Sequence, residues 1–162
     1  WSEQLDCLAK LENPNKRGIV NFYGESDKII PVSQLDPKET SILVFDDIML
    51  ECQKPIEAYF ALGRHGSANC FYLTQNYFRI PGQVIRENAN MIILFNQKKD
   101  SLRRIYNNYC SNDLNFDEFY QFFQDCQSDR YGFCTIDLTK HPACGKYRKL
   151  LDTIYIPNNF SL

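Results

Sequence analysis

Apolar residues along this chain fall into two rhythms. Nearly unbroken runs occur at Ser41-Ile42-Leu43-Val44-Phe45, Asn69-Cys70-Phe71-Tyr72-Leu73 and Met91-Ile92-Ile93-Leu94-Phe95, with helically spaced stretches between and after them. As a strand, a consecutive apolar run is apolar on both faces, the pattern of a strand covered by helices on either side. Three such runs separated by short helical segments predict right-handed crossovers and a mostly parallel sheet with flanking helices. The run at 41–45 reads as its centre.

The helical stretches follow from spacing and punctuation. Leu5, Leu8, Ala9 and Leu11 predict an amphipathic helix over 2–12 with Ser2 as its cap. Ile19-Val20-Asn21-Phe22 predicts a brief strand, closed by the turn-prone Gly24-Glu25-Ser26-Asp27. Pro55 suits a first helical turn, and Ile56, Ala58, Tyr59, Phe60 and Leu62 carry a helix that Gly63 can end. Pro81-Gly82 marks a turn before a short helix at Val84–Asn88. From Asp100 to Cys110, Leu102, Ile105, Tyr106 and Tyr109 keep helical spacing, with Arg103 and Arg104 on the outer side. Asn115 can cap a further helix, whose stripe of Phe116, Phe119, Tyr120, Phe122 and Phe123 reads as core rather than as a base-stacking platform. Phe133–Leu138 reads as a last strand.

At 162 residues and 44% hydrophobic, the chain is long enough for one domain with a real core. No run approaches the ~20 apolar residues of a membrane span, so no membrane partner is expected. The net charge of −2 gives no global attraction to nucleic acid. Seven cysteines, an odd count without a Cys-x-x-Cys pair, are expected as free thiols. The one grouping of metal-ligating types is Cys126, Cys134, His141 and Cys144. It lacks the two tight pairs of a zinc site and reads more readily as core and loop.

Candidate chemistry sits at the ends of the runs. Asp46 and Asp47 follow the first, where open α/β sheets bind ligands, and two acids there can hold a hydrated Mg²⁺ and a water. Gln75 follows the second, either as a strand-ending polar residue or as an amide that senses a γ-phosphate. Arg64, in Gly63-Arg64-His65-Gly66, either satisfies terminal helix carbonyls or reaches a neighbouring subunit's phosphate. His65 is a surface histidine or an orienting group for that arginine. Arg86 is a second arginine candidate, beside a Glu87 that reads equally as a surface partner.

Taken together, Ile42–Asp47, Tyr59-Phe60, Gly63-Arg64-His65, Tyr72-Leu73-Thr74-Gln75-Asn76-Tyr77-Phe78 and Ile85-Arg86-Glu87-Asn88-Ala89-Asn90 resemble the FtsK/HerA superfamily. Within it, the pattern is most similar to the genome-packaging ATPases of large DNA viruses of the poxvirus type and of Polinton and adintovirus elements. The likeness covers residues 15–140 in the same order. It implies a partial RecA-like P-loop NTPase fold, with 1–40 as a connector, 41–96 as the core, and 97–162 as carboxyl-terminal helices and a strand. It also implies ATP and Mg²⁺ as cofactors, double-stranded DNA as cargo, a hexameric ring, and a capsid portal or vertex protein as partner. The setting would be the host nucleus, a cytoplasmic factory or the virion. Carried over by residue, Asp46 matches the metal acid, Asp47 the catalytic acid, Gln75 the sensor and Arg64 the arginine finger. Arg86 matches a further position facing the nucleotide. Many members carry Glu as the second acid, so Asp47 is shorter by one methylene.

One motif of the resemblance is missing. A P-loop needs Gly-x-x-x-x-Gly-Lys-[Ser/Thr], whereas the single Gly-Lys here, Gly145-Lys146, is followed by Tyr147 and has Lys140 in place of the first Gly. With Trp1 in place of an initial Met, the expectation is that the P-loop lies upstream. Its strand would belong between the Gln75 strand and the Met91–Phe95 strand, so this chain alone is expected neither to hydrolyse ATP nor to melt as one tight two-state domain. An assembly module of the same fold, or a remnant ATPase, is the alternative. A receiver-like phosphoacceptor ranks last, because Gln75 and Asn96 stand where it needs Asp and Lys.

Overall fold

The computed structural model describes residues 23–24, 28–81 and 83–161. The helix expected at 2–12, the strand at 19–22 and parts of the turns at 24–27 and 81–82 lie outside the described residues. Among the described residues, helices and strands form a mixed α/β arrangement with two separate sheets.

The first sheet pairs β1 (Ser41–Asp46) with β2 (Ala68–Leu73) in parallel, from Ser41 opposite Ala68 to Asp46 opposite Leu73. Parallel strands need a crossover, and α1 (Lys54–Leu62) supplies it. Pro55 occupies the first turn, where no N–H is required, and Ile56 and Tyr59 point inward. Gly63 stays in right-handed backbone and continues into a tighter turn, Gly63–Gly66, before Ser67 adopts φ 53°. A Cβ at Gly63 would stand 3.4 Å from that of Ala68, in ordinary van der Waals contact where helix and strand meet. α2 (Val84–Asn88) adds Ile85 to a cluster with Phe45, Ile56 and Tyr59.

Only one face of this pair is covered. Leu43, Phe45, Cys70 and Tyr72 meet the helices, whereas Ile42 is 68% exposed, Val44 58%, Phe71 49% and Leu73 46%. The expectation of a strand buried on both faces is therefore corrected among the described residues: no element lies over the outer face.

The second sheet is antiparallel, in the order β3-β4-β5-β6: Met91–Leu94, Cys134–Asp137, Tyr147–Lys149 and Thr153–Tyr155. The third apolar run thus does not continue the parallel pair; it pairs antiparallel with β4, so among the described residues only β1 and β2 are parallel. Two helices cover one face, α3 (Lys99–Tyr109) and α4 (Phe116–Cys126). Asn115 caps α4 by accepting from the Glu118 N–H at 2.9 Å. Phe119, Phe122 and Phe123 join Leu102, Ile105, Ile136 and Tyr147 in the larger core. Ile80 packs against both clusters.

Buried polar groups in this region are paired. Glu118, although buried, accepts from the Tyr155 hydroxyl at 2.9 Å and the Asn158 N–H at 2.7 Å. Asp113 takes the Tyr147 hydroxyl at 2.6 Å and the Lys146 ammonium. Asp137 meets Arg148 at 2.8 Å. No buried side-chain nitrogen or oxygen among the described residues lacks a partner, as expected where desolvation without a hydrogen bond is expensive.

Candidate functional site

Parallel pairing decides what meets at the end of the first sheet. Because β1 and β2 run the same way, the residues that leave them emerge together: Asp46 closes β1, and the Asp47 N–H donates to the Leu73 carbonyl at 3.2 Å. Gln75 follows two residues beyond that carbonyl. Asp46, Asp47 and Gln75 are all exposed there, and no ion pair or hydrogen bond engages their side chains among the described residues.

The loop after the acids is tied to β2. The Gln53 amide donates to the carbonyls of Ile48 at 2.6 Å and Glu51 at 2.9 Å, while its oxygen accepts from the Tyr72 hydroxyl at 3.2 Å. The Thr74 hydroxyl lies 3.0 Å from the Met49 sulfur. Burial raises the Tyr72 pKa, and the Asp47 charge raises it further, so the phenol stays protonated beside the acid. Gln53 and Tyr72 are supports that sequence reasoning missed. Tyr72 read as an apolar strand position and as part of the resembling run, with no polar role, and Gln53 gave no signal. Asp47 itself takes φ 51°, left-handed backbone.

The donor set suits a hydrated divalent cation: two solvent-facing carboxylates leave room for waters and for oxygens supplied by a phosphate. No group of three or more His, Cys, Asp or Glu among the described residues can hold a metal alone, so a cation here would need those other oxygens.

Arg64 is not brought to this end. It lies in the turn before β2, where the Ser41 N–H donates to the Ser67 carbonyl at 3.1 Å, at the opposite end of the pair. A six-residue strand spans roughly 16–20 Å. The arginine is exposed, and its side chain bonds none of the last carbonyls of α1; the Gly63 N–H satisfies that of Tyr59 instead. His65 is exposed in the same turn, and Glu87 is exposed on α2. Arg86 is half-buried, 5.4 Å over the Tyr77 ring, and its carbonyl accepts from the Tyr109 hydroxyl at 3.4 Å.

The cysteine and histidine grouping does not assemble. Cys126 and Cys134 are buried at the end of α4 and the start of β4. A hydrogen bond from the Cys134 thiol holds Cys126 low in pKa and, with burial, keeps Cys134 well above the ordinary thiol. His141 Nδ1 accepts from the Ala143 N–H at 3.3 Å and its ring meets Phe160 edge-on, while Cys144 is exposed. The six described cysteines form no disulfide.

No helix among the described residues is long and apolar enough to cross a membrane. No protein family, curated protein or solved structure matches the chain.

Proposed function

We propose that this chain is the part of a DNA-packaging ATPase of the FtsK/HerA superfamily that carries the metal acid, the catalytic acid and the sensor. The observation that carries the reading is the parallel register of β1 and β2, which brings Asp46, Asp47 and Gln75 to one end. In this reading Asp46 holds Mg²⁺, Asp47 orients the attacking water and draws off its proton, and Gln75 donates to a phosphate oxygen while accepting from that water. Bound Mg²⁺ supplies neutralisation of the charge that develops on the phosphate oxygens. Arg64, a strand's length away, acts across a subunit boundary in a hexameric ring, a role its exposed position allows. Arg86 faces the nucleotide less directly, from beside Tyr77.

The RecA-like arrangement requires a P-loop strand between β2 and β3. Support comes from the sheet edges: among the described residues β2 pairs only with β1, and β3 only with β4, so each offers an unpaired edge. The experiment is ATP turnover, with and without duplex DNA, from a chain extended upstream through the expected P-loop, beside the same chain carrying Asp47→Asn. DNA-stimulated turnover that falls by at least roughly a hundredfold in the variant is the expected result, the scale of losing a positioned base. The 162-residue chain, which has no P-loop motif, is expected to show no turnover.

The outer apolar face of Ile42, Val44, Phe71 and Leu73 favours a second reading, an assembly module without catalysis. Absence of turnover from a folded, ATP-binding extended chain would select it.

A further inference from the structure

Cations in the carboxyl-terminal region are handled in two ways. Near β5, Lys146 lies against Asp113, Arg148 against Asp137 at 2.8 Å and Lys149 against Asp129 at 3.2 Å. On α3 none is matched to a carboxylate among the described residues. Arg103 instead lies 3.9 Å over the Phe116 ring, Arg104 4.1 Å over Phe78, and Lys99 5.0 Å over Tyr120. Asp100, one turn before Arg104 and able to reach it, makes no ion pair with it.

This arrangement is chemically specific. A guanidinium that meets a ring through its face keeps its in-plane N–H donors available to an oxyanion. Side chains already held on rings also lose less freedom when they bind. Beside Lys99 lies a hollow of about 310 Å³, lined by Asn96, Gln97, Tyr120, Gln124 and Gln127 and by no carboxylate. Amides, a phenol and cations are the groups that contact phosphate and sugar oxygens. The chain as a whole is slightly acidic, so this surface is a local feature and not the result of bulk charge.

We infer that the Lys99, Arg103 and Arg104 face of α3, with the amide-lined hollow beside it, binds the phosphodiester backbone of duplex DNA. The inference rests on the reading of DNA as cargo. Backbone contacts carry no sequence information, which suits a substrate that is moved along its whole length.

The test is fluorescence anisotropy of a labelled duplex of arbitrary sequence with the full chain, without ATP, over a series of NaCl concentrations. Arg103→Ala with Arg104→Ala should weaken binding roughly tenfold or more near 0.1 M salt and lower the slope of log K against log salt by about two. The double Arg→Lys variant should keep that slope. Arg130→Ala removes an exposed arginine stacked 5.0 Å over Tyr131 elsewhere, and should leave binding unchanged. If the double alanine variant does not fold, Lys99→Glu reads the same surface and should also weaken binding. An unbound wild-type chain, an unchanged slope, or an equal loss in Arg130→Ala would overturn the inference. Because no ATP is present, failure of the motor reading appears only in the Asp47→Asn turnover experiment.

Discussion

β1 and β4 are both short strands, yet the protein treats them oppositely. β4 is buried at all four positions, Thr135 and Asp137 included, because α3 and α4 lie on one face and paired polar groups close the other. β1 is the more apolar run, yet its Ile42 and Val44 face outward and one of its edges is unpaired among the described residues. Hydrophobicity makes burial favourable, but only the remainder of the fold can supply the covering surface. The carboxyl-terminal region accordingly holds most of the packing, while the amino-terminal sheet holds the candidate chemistry on a thin support.

Mutations can break that comparison. Phe119→Ala opens a cavity in the larger core and should lower stability by about 3–5 kcal/mol, read from the urea midpoint of the carboxyl-terminal region. Tyr147→Phe removes a hydrogen bond to the Asp113 carboxylate and should cost about 1.5–3 kcal/mol in the same measurement. Asn115→Ala removes the cap of α4, at about 1 kcal/mol. Val44→Thr on the uncovered face should stay within about 0.5 kcal/mol. If Val44→Thr proved as damaging as Phe119→Ala, the contrast between the two sheets would be wrong.

Acid sharpens the same contrast. Burial pushes the Asp137 carboxyl up, but the Thr139 hydroxyl and N–H and the Arg148 charge outweigh it and hold the pKa below its ordinary value of 3.8. A group with a depressed folded pKa contributes stability above its unfolded value and loses it as pH falls through the folded one. Stability of the carboxyl-terminal region should therefore decline below about pH 4, and Asp137→Asn should flatten that part of the profile in pH-dependent melts. Hydrogen exchange should find the amides of β1 and β2 opening before those of β4.

Much of this was legible in the residues. Helical spacing located α1 through α3 to within a residue, and Asn115 announced the start of α4, which runs on past the Phe123 of its stripe to Cys126. Asp46, Asp47 and Gln75 could be placed at one end once the first two runs were read as parallel neighbours. Strand direction is not encoded in periodicity, so Met91–Leu94 could be read as parallel although it pairs antiparallel with β4. β5 and β6 have three residues each, and Arg148 and Lys149 interrupt any apolar rhythm, so they escaped notice. An apolar run likewise states what it can bury but not whether a cover is at hand, which is why Ile42 and Val44 misled.

The backbone at Asp47 has its own consequence. At φ 51° a side chain is crowded against its own backbone, and Gly, Asn and Asp adopt such a conformation at least cost, although Ser67, Tyr131 and Leu150 also take it in this chain. Of the three residues favoured there only aspartate carries a negative charge. So long as the turn keeps this shape, aspartate is the acid it holds with less strain, and the methylene by which it falls short of glutamate goes with that torsion. Asp47→Asn then changes charge while leaving the turn relaxed, whereas Asp47→Glu would lengthen the reach only by straining the turn that aims it.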